Sequence, residues 1–189
     1  RLQNNSSPEI LNAYSSFIIS IIPIIQGIPN NKYLKNVSYL LIFNGFFSFY
    51  YHYNLSWLGK HLDEVSMILA NYNGICALLS TNVINNKETY SIFNLLFACL
   101  FISFNTLPNY DFLFPYIFGL YSGATIYLVR EIALLHNVKK TVDLYLSYSI
   151  FGMLAWVISE YYCNEVTKYG HLLWHLFFPF GFYKIIKIY

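Results

Sequence analysis

The sequence predicts an all-α protein, a bundle of seven transmembrane helices forming one domain over residues 1–189. Three observations carry this expectation. Hydrophobic residues make up 57% of the chain and charged residues 11%, with a mean hydropathy of +0.44. A soluble domain carries about 25% charged residues, so this chain has too little charge to cover a surface facing water, and lipid is the expected solvent. The apolar residues also fall into seven runs bounded by polar, Pro or Gly punctuation. Most of these runs reach the roughly 20 residues a helix needs to cross a bilayer.

The first run covers about residues 9–27 and closes at Gly27. The second, about 33–51, is aromatic and stops before His52-Tyr53-Asn54. The third spans about 62–80 and opens on Asp63. The fourth, about 90–106, is the shortest; the fifth follows Pro108 and covers about 112–135. The sixth runs over about 142–162, and the seventh from Gly170 to the end of the chain. The links are short, which makes sequence neighbours antiparallel neighbours in space. No repeat, linker or second domain interrupts the pattern. The opening, Arg1 to Pro8, lacks the basic-then-apolar pattern of a signal peptide. Without an initiator Met it reads as the start of a processed or truncated form. Cys76 and Cys99, inside apolar runs, are expected to be inert core thiols, whereas Cys163 falls in a loop where it could pair or react.

An odd number of spans puts the termini on opposite faces. Face A holds the N-terminus and the links after helices two, four and six; face B holds the other links and the C-terminus. Of the 11 Lys and Arg, Arg1, Lys60 and Lys168 fall on face A and the rest on face B. By the positive-inside rule face B is cytoplasmic, and face A is lumenal or external. The net charge of +2 and the lack of any RNA-binding or helix-turn-helix signature exclude nucleic acid as a partner.

Ionisable groups inside membrane spans are costly and mark function by default. His171 and His175 form His-x-x-x-His at the start of helix seven, a spacing that puts both imidazoles on one helical face. His52 ends helix two, Ser48 lies one turn earlier on the same face, and Asp63 opens helix three. Helix parity brings Ser48, His52, Asp63, His171 and His175 to one depth near face A, although the sequence scatters them. Three neutral His nitrogens with an open fourth position are the ligand set of a catalytic zinc. Each residue also has an ordinary structural role open to it. His52 could sit at the interface, Asp63 could cap helix three, Ser48 could bond its own backbone, and the His pair could line a proton path. His61 and His136, in or near loops, read as solvated side chains. The 19 Tyr and 17 Phe suit interfacial belts and helix packing and identify no substrate.

Ser48-Phe-Tyr-Tyr-His52, Asp63-Glu64-Val-Ser-Met67 and Gly170-His171-Leu-Leu-Trp-His175, with Glu9-Ile-Leu-Asn12 opening helix one and Cys163-Asn-Glu before helix seven, resemble the alkaline ceramidases. These belong to a wider superfamily of seven-helix hydrolases. The resemblance extends over most of the chain. It implies zinc on His52, His171 and His175, Asp63 as the base that takes a proton from the attacking water, and Ser48 as an oxyanion donor. The implied reaction cleaves the amide of ceramide into a sphingoid base and a fatty acid, within an endoplasmic reticulum or Golgi membrane and on its lumenal side. Family members carry an acidic calcium-binding segment before helix one. Glu9 matches its last acidic ligand, while the upstream ligands and a Cys that would pair with Cys163 are missing from this sequence. Calcium is therefore implied through Glu9 alone. Rival readings are a related lipid-remodelling hydrolase acting on a phospholipid or GPI ester, a receptor of the progestin and adiponectin type, and an inactive homologue.

Overall fold

The computed structural model describes residues 9–80, 87–106, 112–162, 164 and 166–189, apart from the side chains of Lys87 and Thr89. The described residues form an all-α structure: α1 (Ile10–Gln26), α2 (Lys32–Asn54), α3 (Trp57–Leu79), α4 (Lys87–Thr106), α5 (Phe114–Leu135), α6 (Lys139–Tyr161) and α7 (Gly170–Ile186), with a 3-10 turn at Thr167–Tyr169 leading into α7. Each helix falls on an expected run. By length and composition, α5 and α6 are the two helices apolar enough to cross a membrane, while α1 and the Tyr90–Thr106 stretch of α4 are shorter apolar helices.

Six helices close a ring. α1 packs on α2 and α7, α2 on α3, α3 on α5, α5 on α6, and α6 on α7. α4 lies outside the ring against α3, held by Tyr72, whose ring stacks on Phe97 with centroids 3.9 Å apart and whose hydroxyl donates to Asn94 at 2.6 Å. Small residues at a helix crossing let the two backbones approach closely. Gly45 shows this at the α1–α2 crossing, where a Cβ would stand 2.1 Å from Ser20 Oγ and 2.7 Å from the Ser16 carbonyl oxygen.

Two helix boundaries differ from expectation, and both bear on the site. α2 runs past His52 to Asn54, because Leu55 adopts a left-handed conformation with φ +49° and ends the helix there. That conformation costs a non-glycine residue about 1–2 kcal/mol, and it lets the chain turn into α3 within two residues. α3 then starts at Trp57, with Ser56 as its N-cap accepting from the Gly59 amide. A Cβ on Gly59 would come within 2.8 Å of Tyr51 Cα, so this glycine allows the tight α2–α3 hairpin. His52 sits in the last turn of α2, as expected, and Asp63 lies well inside α3. The capping role considered for Asp63 belongs to Ser56.

Two further expectations change. Cys76 is buried, but Cys99 is exposed on α4, because α4 stands outside the ring and turns that face outward. His61 is not a free solvated side chain: it is stacked between Trp57 and Phe104, at centroid distances of 5.3 and 5.5 Å. His136 is exposed at the C-cap of α5, as expected. Cys163 lies outside the described residues.

Candidate metal centre

His52, His171 and His175 converge. One nitrogen from each lies within 4.8 Å of the others, close enough to share one ion. Ring centroids are 4.6 Å apart for His52–His171, 5.5 Å for His52–His175 and 4.7 Å for His171–His175. His52 and His175 are 2% and 1% exposed. His171 and His175 meet because residues four apart share a face of α7. His52 joins them from α2 across the ring.

The cluster fits a metal on its own geometry. His52 Nε2 is buried and has no hydrogen-bond partner in the protein, and an orphaned buried polar atom costs about 1–3 kcal/mol unless something completes it. Its other nitrogen, Nδ1, lies 2.8 Å from Glu9 Oε2. A carboxylate can only accept, so Nδ1 carries the hydrogen and Nε2 presents its lone pair to the cluster. Three neutral imidazoles in a buried pocket are a donor set suited to zinc and related transition metals.

Glu9 precedes α1, and the backbone fixes it there: its amide donates to the His52 carbonyl at 3.0 Å. Its Oε2 also accepts from Asn12 Nδ2 at 2.9 Å. The hydrogen bond from His52, opposed by burial and reinforced by Asn12, holds the Glu9 carboxyl down at about 2. Glu9 therefore stays ionised at neutral pH. The residue that the resemblance makes a calcium ligand here supports a histidine; the segment before it lies outside the described residues.

Ser48 and Asp63 also reach this end of the ring. Both are buried. Asn44 Nδ2 donates to Asp63 Oδ1 at 2.7 Å and lies 2.9 Å from Ser66 Oγ. The Ser48 hydroxyl lies 3.0 Å from Ser16 Oγ, which itself donates to the Asn12 carbonyl at 2.8 Å. The hydrogen bond of Ser48 runs across to Ser16 on α1 rather than to its own helix backbone. Ser48, Asp63, His171 and His175 line one open cavity of about 1610 Å³, mouth included. Lys60, Glu64 and Glu160 supply further polar lining, and Phe118, Trp156 and Trp174 make apolar walls. Lys60 Nζ and Glu64 Oε1 are 3.7 Å apart, one turn apart on α3.

This arrangement can do acid–base chemistry beside a metal. A carboxylate and a hydroxyl stand together in a cavity with apolar walls, next to three ligand nitrogens. The model of the Ceramidase family matches residues 4–189. The chain belongs to the ceramidase family. Comparison with curated proteins finds no match. Ceramidase membership supports a ceramidase-type hydrolase and implies ceramide as the lipid substrate, in agreement with the resemblance of the sequence motifs.

Sequence reasoning missed three supporting residues of this ceramidase. Ser15 holds His175, Asn44 holds Asp63, and Glu160 approaches His171, its Oε1 lying 3.6 Å from Nδ1. A signal for two of them was available. Asn44, Ser48 and His52 recur every four residues along an otherwise apolar, aromatic helix, which makes one polar stripe. On α1, Asn12, Ser16 and Ser20 form a similar stripe with Ser15 beside it. Glu160 had no such signal, because it stands alone at the end of α6.

Proposed function

We propose that this ceramidase is a zinc-dependent amide hydrolase that cleaves ceramide to a sphingoid base and a fatty acid inside the membrane. One observation carries the reading: a carboxylate and a hydroxyl, Asp63 and Ser48, line the same cavity as His171 and His175 of the histidine cluster, where three histidines alone suffice to hold a structural ion. His52, His171 and His175 would hold the zinc. A zinc ion so held supplies Lewis-acid chemistry toward water and a carbonyl.

Asp63 takes the proton of the attacking water. Asn44 keeps its carboxylate turned toward the cavity, so the base is oriented before substrate arrives. Ser48 donates its hydroxyl hydrogen to the oxygen that gains negative charge as water adds to the amide carbon. The C–N bond then breaks, and the proton held on Asp63 passes to the leaving nitrogen. The walls of Phe118, Trp156 and Trp174 accept hydrocarbon and exclude bulk water.

All seven helices span the bilayer in this reading, as one domain. The outward surface supports it: large apolar side chains such as Ile25, Leu95, Tyr116 and Tyr127 are more than half exposed, an arrangement that costs nothing in lipid. α1 and the Tyr90–Thr106 stretch of α4 are apolar but short, while α2 and α3 bury polar residues such as Asn44, His52, Asp63 and Asn71, which lowers their mean hydropathy. In this reading the N-terminus and the site face the lumen of an endoplasmic reticulum or Golgi membrane, and the excess of basic residues on face B supports that orientation. A glycosylation tag at the N-terminus should be modified and one at the C-terminus should not; the reverse pattern places the site in the cytoplasm.

The activity is tested by incubating purified protein with mixed ceramides, phospholipids and GPI precursors, with and without a chelator. Calcium is supplied because Glu9 matches the family's last acidic ligand. Sphingoid base should appear from ceramide and vanish with the chelator. Release from a phospholipid or GPI ester alone would move the protein to the related lipid-remodelling hydrolases. No release from any lipid would favour a receptor or an inactive homologue.

A further inference from the structure

α1 offers no nitrogen to the cluster, yet it touches two of the three histidines. We propose that Ser15 is a positioning residue that holds His175 in the tautomer with hydrogen on Nδ1, so that Nε2 is the atom given to the metal. The inference rests on the three-histidine zinc reading and adds to it a residue that the catalytic set does not contain.

The geometry decides who donates. Ser15 Oγ lies 2.8 Å from His175 Nδ1 and 3.0 Å from the Asn12 carbonyl oxygen. A serine hydroxyl has one hydrogen to give and two lone pairs to receive with. A carbonyl oxygen only accepts, so the contact to Asn12 uses the hydrogen. Toward His175 the hydroxyl is left as an acceptor, and Nδ1 must be the donor. A neutral imidazole has a single N–H, so Nε2 keeps its lone pair. Ser15 and His175 are both buried, and bulk water cannot replace the hydroxyl.

The same helix treats His52 alike. Glu9 Oε2 fixes the hydrogen on His52 Nδ1, and Asn12 joins the two devices: its side chain donates to Glu9 and its carbonyl accepts from Ser15. Glu9, Asn12 and Ser15 follow one another at three-residue spacing along one side of α1. Hydrogen bonds to the far nitrogen of a ligand histidine set ring orientation and tautomer, and losing one typically costs about 10–100-fold in metal affinity. The competing account is that Ser15 merely satisfies a carbonyl of its own helix, a common habit of serine in apolar helices. That account gives its hydroxyl no effect on metal.

The test compares wild type with Ser15→Ala, Ser15→Thr and Ser15→Val in detergent. Zinc affinity is read by competition with a chromophoric chelator, and ligand geometry by the visible absorption of the cobalt-substituted protein. Ser15→Ala should weaken zinc by about 10–100-fold and alter the cobalt bands. Ser15→Thr should restore both; Ser15→Val, close in shape to Thr but without a hydroxyl, should not. The Thr and Val variants melt alike once stripped of metal if they fold alike, which keeps the comparison valid should Ser15→Ala prove unstable. Zinc held by Ser15→Ala or Ser15→Val as tightly as by wild type, with an unchanged cobalt spectrum, overturns the inference and leaves the three-histidine site standing. A wild type that takes up no zinc, or a His171→Ala/His175→Ala variant that keeps it, overturns the site and this inference together.

Discussion

The two ends of the ring share α3 and α7 and are built by opposite rules. At the site end, α1, α2, α3 and α7 bury Ser15, Ser48, His52, Asp63 and His175, and these polar groups hold one another. At the far end, α3, α5, α6 and α7 bury Leu78, Val129, Ile132, Val142, Leu146 and Ile185 in a cluster without a charge. A largely apolar cavity of about 830 Å³, mouth included, lies among those four helices and the start of α2, with Leu34, Gly74 and Leu146 in its lining. The difference shows how the bundle divides its labour. Apolar packing at the far end fixes the ring, so that hydrogen bonds at the site end can be spent on orientation. The comparison predicts that substitutions at one end remove chemistry and spare the fold, and that substitutions at the other do the reverse.

The largest effect is expected from His171→Ala/His175→Ala. Purified wild type should hold about one zinc per chain, and the double variant should lose nearly all of it, because His52 alone cannot retain an ion. The removed rings are buried, so a loss of melting temperature is expected as well, and metal analysis is the deciding measurement. Full zinc retention would mean the metal, if any, sits elsewhere.

Next comes Asp63→Asn. The amide keeps the size of the carboxylate and the hydrogen bond to Asn44 can be remade through its oxygen, so zinc content and melting in detergent should hold. Loss of a general base costs about 10²–10⁴ in rate, read as sphingoid base released from ceramide. Ser48→Ala should also keep zinc. It removes one oxyanion donor, worth about 10²–10³, and should therefore leave more activity than Asp63→Asn. Wild-type turnover in Asp63→Asn would refute the assigned base.

Much of this was legible in the sequence, for identifiable reasons. All seven helices follow from apolar runs and their punctuation, because a membrane-type composition leaves few other places for such residues. The convergence of His52 with His171 and His175 followed from parity: short links make the ends of α2 and α7 meet. What escaped were facts set by side-chain direction in three dimensions. The αL turn at Leu55 is not written in a Gly or Asn, so the extra turn of α2 and the early start of α3 went unseen. Cys99 looked like a core residue because its helix is apolar on all sides, and periodicity does not say that α4 stands outside the ring. Ser15 and Asn44 drew no attention in the sequence, because their partners lie 160 and 19 residues away.

The smallest effect on function is expected at the far end. Ile132 is fully buried between α5 and its neighbours in the apolar cluster, and it touches neither the metal ligands nor the site cavity. In water, Ile→Ala at such a position costs about 2–5 kcal/mol, part of it from transfer to solvent and part from the cavity left behind. In lipid the unfolded helix already rests among hydrocarbon, and the transfer part shrinks. The cavity part remains, because the neighbours close around the gap only incompletely. Ile132→Ala should therefore lower the melting temperature in detergent, with a cost near the lower end of about 2–5 kcal/mol. Zinc content and the rate of ceramide hydrolysis, both measured well below the new melting point, should stay at wild-type values. If Ile132→Ala instead loses metal while still folded, the two ends are coupled, and the division of labour drawn here is wrong. If it changes neither stability nor activity, the far cluster does not hold the ring, and the rigidity of the site must come from α1 and α2 alone.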